Sequence, residues 1–360
     1  MRKILVPVLV LFLLIGMLPS SCLADTAASP EVLTVEEAID LAYANRNDVK
    51  LADLTLQAAN ISGDIAWDNA SEALQAAEID NTGQFIGGID SWNQVYTSEY
   101  NLQVARKNYD TKRESVKFSV YQQYYNVVTA LDSTDAQRLS SQQADQKLKI
   151  AELRYLLGMD TKATLYSSQQ QAASAAGNYA TTQQSLDQKY IALMEYIGKP
   201  VSSRPALVRE LTYTPIVVSN PEQKFAQIVK DSPSVWLAKK SLDLTQETSD
   251  SSVGPEGDLT DINLEKADIS IITTRDAMID TTRSLYYNIL SVEEAYATAV
   301  ASAKSADEAL RVAKLMYEVG LGIKLDVTAA EIAANSAHQT LDSLSYQHAI
   351  LAMAFEKPWA

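Results

Sequence analysis

Apolar positions recur at helical spacing along most of this chain. The clearest run is Met278, Thr282, Leu285, Ile289, Val292, Tyr296, Ala299, Ala303, Ala306, Leu310, Ala313 and Tyr317. Its steps alternate four and three, and only Thr282 is polar. Such a strip lays one narrow apolar seam along a helix and calls for a partner helix. A straight helix over that run is about 60 Å long. A matching strip runs Val116, Val120, Gln123, Val127, Ala130, Thr134, Gln137, Ser141, Ala144, Leu148, Ala151 and Tyr155. It is wetter, with glutamine, threonine and serine in the seam. Either this helix packs loosely, or that face borders a solvent-filled space.

Each strip ends on a tyrosine, with a glycine three residues further on: Gly158 after Tyr155, Gly320 after Tyr317. Glycine just past a helix takes up the left-handed conformation cheaply, so both helices are expected to stop there. The pattern then predicts return helices over about 165–197 and 327–355. Asp326 is placed to cap the second of these, with Thr328 and Glu331 as a competing capping box. A first helix is expected over about 35–77, opened by Thr34 and Glu37. Loops are expected at 81–92, with Gly83, Gly87 and Gly88, and at 249–258. Ile216-Val217-Val218 reads as one short strand.

The two halves are copies of one unit. Tyr124-Tyr125-Asn126-Val127 stands against Tyr286-Tyr287-Asn288-Ile289, and Ala151, Leu153, Tyr155 and Gly158 stand against Ala313, Leu315, Tyr317 and Gly320. The offset is 162 throughout, without a gap. The unit ends match at offset 158, Lys199-Pro200 against Lys357-Pro358, and the starts at 186, with Asn45, Val49, Leu51 and Ala52 facing Asp231, Val235, Leu237 and Ala238. Proline is absent between Pro30 and Pro200, which suits long helices. The expected architecture is therefore all-α: long antiparallel coiled-coil hairpins in two tandem repeats, 25–200 and 222–360, joined by a proline-bearing linker at 201–221.

Residues 1–24 read as a signal peptide, with Arg2 and Lys3 before the apolar stretch from Ile4 to Leu18 and small residues near Cys22-Leu23-Ala24. A retained anchor and lipidation at Cys22 are the alternatives. Export places the chain in the cell envelope, outer membrane or periplasm, and membrane association stays open. The formal charge is −15, and −17 without the first 24 residues, which argues against a nucleic-acid partner. Cys22 is the sole cysteine, so the exported chain relies on packing rather than disulfides.

Taken together, these motifs resemble the TolC-type outer-membrane efflux family. The resemblance rests on Leu33-Thr34-Val35-Glu36-Glu37-Ala38-Ile39, on Asn45 through Ala52, on Ser232-Pro233, and on the paired Tyr-Tyr-Asn segments. Tyr317-Glu318-Val319-Gly320-Leu321 followed by Asp326-Val327 carries it furthest. It covers about 33–358. The resemblance implies a homotrimer that forms a helical conduit for efflux or export, working with a periplasmic adaptor protein and an inner-membrane transporter. It implies tip turns at Gly158-Met159 and Gly320-Leu321 where the adaptor docks, and an acidic constriction at Asp326. Three departures stand out. Neither unit holds two alternating segments long enough for membrane strands of roughly 9–11 residues, so little or no β-barrel is expected. Thr164 and Met159 stand where the second tip has Asp326 and Leu321, and Ala329 stands where some members have a second acid. The alternative function is a barrel-less exported scaffold that binds envelope partners without forming a channel.

No catalytic constellation, cofactor motif or metal-ligand spacing emerges. Gly87-Gly88 and Gly320-x-Gly322 lack a phosphate-loop context. His338 and His348 stand ten apart with no cysteine nearby and read as surface or seam residues. Tyr155 and Tyr317 are expected to pack the tips. An enzyme is not expected.

Overall fold

The computed structural model describes residues 32–76, 78–79, 85–86, 89–209, 211–249 and 255–360. The signal-peptide reading of 1–24, Cys22, and the three glycines at 83, 87 and 88 lie outside them. The helices are α1 (Val35–Asn45), α2 (Asn47–Ala76), α3 (Ile89–Leu156), α4 (Lys162–Ile197), α5 (Pro221–Asp231), α6 (Pro233–Ser249), α7 (Pro255–Glu318) and α8 (Lys324–Glu356). The strands are two-residue segments: β1 (Val32–Leu33), β2 (Glu78–Ile79), β3 (Phe85–Ile86) and β4 (Ala206–Leu207). β1 pairs with β4 in parallel, and β2 with β3 in antiparallel. Among the described residues none approaches the length of a barrel strand. No described helix is long and apolar enough to cross a membrane.

α3 spans 68 residues and α7 spans 64, so each is about 100 Å long if straight. α3 packs along α4, and α7 along α8. The predicted strips are the seams. Val116, Val120, Val127 and Ala151 are buried on α3, and Thr282, Ile289, Val292, Ala299 and Ala303 on α7. α3 also packs against α8, which joins the two hairpins. Tyr125 stacks on Tyr346 at 4.7 Å, the Gln339 side-chain amide donates to the Asp132 carbonyl, and the Thr328 hydroxyl donates to Gln146 Oε1 at 3.4 Å. Those contacts run antiparallel and end near Gly158 on α3 and Gly320 before α8. Both turns therefore lie at the same end of the molecule.

The core sits at the other end of the α3–α4 hairpin. Tyr124, Val127, Leu193, Met194 and Ile197 are fully buried there, with Leu33 and Leu207 from the β1–β4 pair. The Tyr124 hydroxyl donates to the Leu33 carbonyl at 2.8 Å and accepts from Val208 N–H at 2.8 Å. Burial pushes its pKa up to about 12, so it stays protonated and keeps both roles. The linker is tied down further by Tyr346, which donates to the Arg209 carbonyl at 2.8 Å, and by Arg209, 3.0 Å from Asp132. A smaller core gathers Phe225, Ile228, Ile289 and Phe355.

Several expectations need correction. The first helix is not continuous, because Arg46 takes an extended conformation between α1 and α2. The Asn45 side chain turns aside to donate to the Ile197 carbonyl at 2.9 Å, and Arg46 makes a two-point bond to Asp48. Ser232, at offset 186, breaks the corresponding pair α5 and α6 before Pro233. The 216–218 segment is not a strand; Ile216 N–H donates instead to Glu293 Oε1 at 2.8 Å. The linker strand is Ala206–Leu207. α3 already contains Trp92 and α7 begins at Pro255, both within stretches expected to be loops. Both return helices start three residues earlier than expected, at Lys162 and Lys324.

Candidate functional site: the paired hairpin tips

The two tip turns have the same hydrogen-bond pattern. Gly158, at φ 71°, donates to the Tyr155 carbonyl at 3.0 Å, and Met159 donates to Arg154 at 2.8 Å. Gly320, at φ 74°, donates to Tyr317 at 3.1 Å, and Leu321 donates to Met316 at 2.8 Å. This is the Schellman turn, in which two amides satisfy carbonyls that the helix end leaves free. Only glycine holds the left-handed residue without strain, and no atom crowds the Cβ position at either site.

The turns put large apolar groups in solvent. Leu156, Leu157 and Met159 are exposed at the first tip, and Val319, Leu321 and Ile323 at the second. Tyr155 and Tyr317 were expected to pack the tips; they are 38% and 47% exposed, because the seams open before they reach the turn. Large apolar groups exposed at two tips are unusual on a solvated surface.

The tips differ in how the return helix begins. Thr161 caps α4, its hydroxyl accepting from Thr164 N–H at 3.2 Å, and Arg154 pairs with Asp160 at 2.9 Å. At the second tip the corresponding positions hold Ile323, Asp326, Met316 and Gly322. Asp326 is not the cap residue. It stands three positions into α8, and its carboxylate accepts from the Ile323 N–H at 3.2 Å. Ile323 has no side-chain acceptor, so this is half of a capping box. Thr328 bonds within its own helix and to Gln146 rather than opening a second box.

The histidines clip α8 to α7. His338 lies 2.9 Å from Asp307 on the surface, and His348 is buried 3.0 Å from Glu293. The stack of Tyr213 on Tyr296 at 3.7 Å, beside His348, could not be read from the sequence, because it joins linker and helix positions of no shared period.

Comparison with known proteins fits this geometry. Residues 86–199 match the family described as outer membrane efflux protein. The Escherichia coli outer membrane protein TolC is 27% identical over 143 residues, which is 36% of this chain and 29% of TolC. The matched stretch is thus less than a third of that protein's length. The crystal structure of CusC superposes with a TM-score of 0.66 at 14% identity, covering 89% of this chain and 90% of CusC. The CmeC outer membrane channel of Campylobacter jejuni gives 0.65 at 15% identity, covering 90% and 85%. VceC of Vibrio cholerae gives 0.61 at 12% identity, covering 89% and 94%. The chain resembles the TolC-type outer-membrane efflux proteins over part of its sequence and shares the helical fold of these structures, with only two-residue strands among its described residues.

Proposed function

We propose that this protein is an exported component of a cell-envelope efflux or export system. Several copies form a helical conduit, and the paired tips at Gly158-Met159 and Gly320-Leu321 dock on a periplasmic adaptor that serves an inner-membrane transporter. The supporting observation is the pair of matching turns, held at one end and presenting apolar side chains to solvent. Ring formation has support in the repeat. Inside one chain α3 meets α8, and Tyr125 is 5% exposed against Tyr346. The repeat places Tyr287 of α7 where α3 has Tyr125, yet Tyr287 is 62% exposed. The α4 of a second copy is its counterpart of α8. Such head-to-tail contacts close into rings. Asp326 then stands near the ring's tip end, where like charges around one axis would favour cations. A homotrimer is the expected ring.

The short strands favour a second reading, a tip-binding envelope scaffold without a channel. One experiment tests both: native sizing of the membrane-extracted and periplasmic fractions, with dye retention in cells carrying wild type or Leu156→Asp/Leu321→Asp. A ring whose tip variant assembles but retains dye supports the conduit. A ring with unchanged dye export supports the scaffold, and a monomer in every fraction overturns ring and conduit alike.

A further inference from the structure

The repeat leaves one site of the second unit unfilled. In the first unit, β1 lies directly before Thr34, the cap of α1, and β4 pairs with it. The offset of 186 carries Thr34 onto Asn220, which caps α5, and carries β1 onto Val218 and Ser219. Burial from 216 to 219 alternates as in a strand: Ile216 and Val218 pack on the Phe225 core, while Val217 is 90% exposed. Among the described residues, no strand pairs with this segment. A cleft of about 380 Å³ runs beside it, lined in part by Val217, Val218, Ser219 and Phe355.

Two side chains of α7 lack the partners that their counterparts on α3 have. The Tyr124 hydroxyl bridges the linker and the N-terminal strand of the first unit, from the Leu33 carbonyl to the Val208 N–H. Tyr286 stands at the equivalent place by the offset of 162, beside Phe225 and Phe355. Among the described residues its hydroxyl makes no hydrogen bond. Asp132 holds Arg209, two residues past Leu207 of β4. The counterpart of Asp132 is Glu294, which is exposed, and its carboxylate pairs with no described base.

We propose that residues 216–219 form an open strand edge that captures an extended segment of a partner protein by strand addition. The site defines the chemistry of that segment. It takes the place that Ala206-Leu207 has in the first unit, so it runs parallel to 217–219 and sets one aliphatic side chain on the Phe225–Phe355 core. One of its N–H groups donates to the Tyr286 hydroxyl. A basic residue two positions past the aliphatic one meets Glu294, as Arg209 meets Asp132. A second copy is a poorer occupant, because β1 and β4 are already paired with one another in each copy. The inference goes beyond the conduit reading and holds equally for the scaffold.

The probe is a fluorescein-labelled, amidated peptide with the sequence of Ser203 through Arg209, added to the full chain and followed by anisotropy. Wild type should bind it saturably, and the same peptide with Leu207→Asp should bind at least about tenfold more weakly. Tyr286→Phe removes one hydrogen bond and should weaken binding about fivefold. Glu294→Gln should weaken it as well and remove much of its salt dependence. Val217→Pro takes away an edge donor and should abolish binding with little change in the thermal melt. If that variant fails to fold, the substitutions at 286 and 294 decide. No saturable binding to wild type overturns the inference. Binding that Tyr286→Phe and Glu294→Gln leave unchanged also overturns it. So does binding lost through Tyr124→Phe instead, which would place the peptide in the first unit by displacing β4. Sedimentation of wild type without peptide completes the test: self-association that Val217→Pro abolishes would give the edge to a second copy and overturn the partner reading.

Discussion

The two hairpins share one sequence pattern and the same tip turn, yet they are buried differently. In the first, Tyr124 and Tyr125 are both in the core, closed over by the linker and by α8 of the second unit. In the second, Tyr286 is only partly buried, packed edge-on to Phe225 at 5.6 Å, and its neighbour Tyr287 faces solvent. A tandem pair has two equivalent sides, and one chain can fill only one of them. The side filled within the chain acquired a hydroxyl network, while the other kept a bare aromatic. The α4 and α8 ends differ in the same way. α4 stops at Gly198, with φ 75°, and α8 stops at Lys357, with φ −139° and ψ 76°.

The comparison breaks most sharply at the paired tyrosines. Tyr124→Ala should cost about 3–5 kcal/mol, as for other large buried side chains, and it strands the Val208 N–H and the Leu33 carbonyl. Tyr286→Ala should cost roughly half as much, since it empties a partly open cluster. Tyr124→Phe isolates the hydroxyl and should cost about 1–3 kcal/mol. Urea unfolding of the three variants checks the order; equal losses at 124 and 286 would mean the halves are energetically alike.

Glycines give the next contrast. Gly158→Ala and Gly320→Ala should each cost about 1–2 kcal/mol, because the left-handed backbone is strained for any L side chain and nothing else changes. Gly198→Ala should cost more. A Cβ there would lie 2.5 Å from Asn45 Cβ, and the Asn45 bond to the Ile197 carbonyl would be lost with the shift. Thermal melts of the three proteins rank them. Gly198→Ala no worse than the tip variants would mean that α1 moves freely against α4.

Much of this was legible in the sequence, for physical reasons that can be named. The seams of α3 and α7 were visible because one period persists for eleven turns and burial follows it. The tip turns were visible because glycine after an unbroken helical strip has few other uses. The break at Arg46 was not visible, since no proline or glycine marks it and Asn45 acts through a partner 152 residues away. Pro233 does mark the equivalent break, so the repeat carried the missing signal. Asp326 was misplaced because an acid near a helix start fits the cap and the third position equally well. Only the backbone of Ile323, which lacks any side-chain acceptor, decides between them. The linker strand was misplaced because three β-branched residues at 216–218 have good strand propensity and no neighbouring strand to pair with.

Tyr287 tests whether the bare side of the second unit is an interface. Tyr287→Ala should leave the unfolding of dilute protein nearly unchanged, because the side chain is exposed. Assembly should weaken by roughly 1–2 kcal/mol per contact if the ring forms through α7, since interface aromatics carry much of the binding energy. Sedimentation equilibrium separates the two effects. A fall in stability without a change in association would place Tyr287 in a purely intrachain role.

The smallest effect is expected at the tips, where the halves differ by Thr164 against Asp326. Both stand at the third helical position, and Asp326 combines two contributions: a hydrogen bond from the Ile323 N–H and a favourable charge at the helix start. Asp326→Asn keeps an acceptor of the same shape and removes the charge. The stability loss should be about 0.3–1 kcal/mol at low salt and smaller at high salt, where the dipole interaction is screened. Thr164→Asp adds the charge at the first tip, where the cap is already filled by Thr161, and should gain no more than that amount. In an assembled ring the signs reverse. If the proposed trimer forms with Asp326 near its axis, the carboxylates repel, so Asp326→Asn should tighten the tip end and Thr164→Asp should loosen it. Melting curves at two salt concentrations, together with association constants for the same variants, separate the helix-start effect from the ring effect. If the association constant of Asp326→Asn equals that of wild type at low salt, Asp326 serves the start of α8 alone.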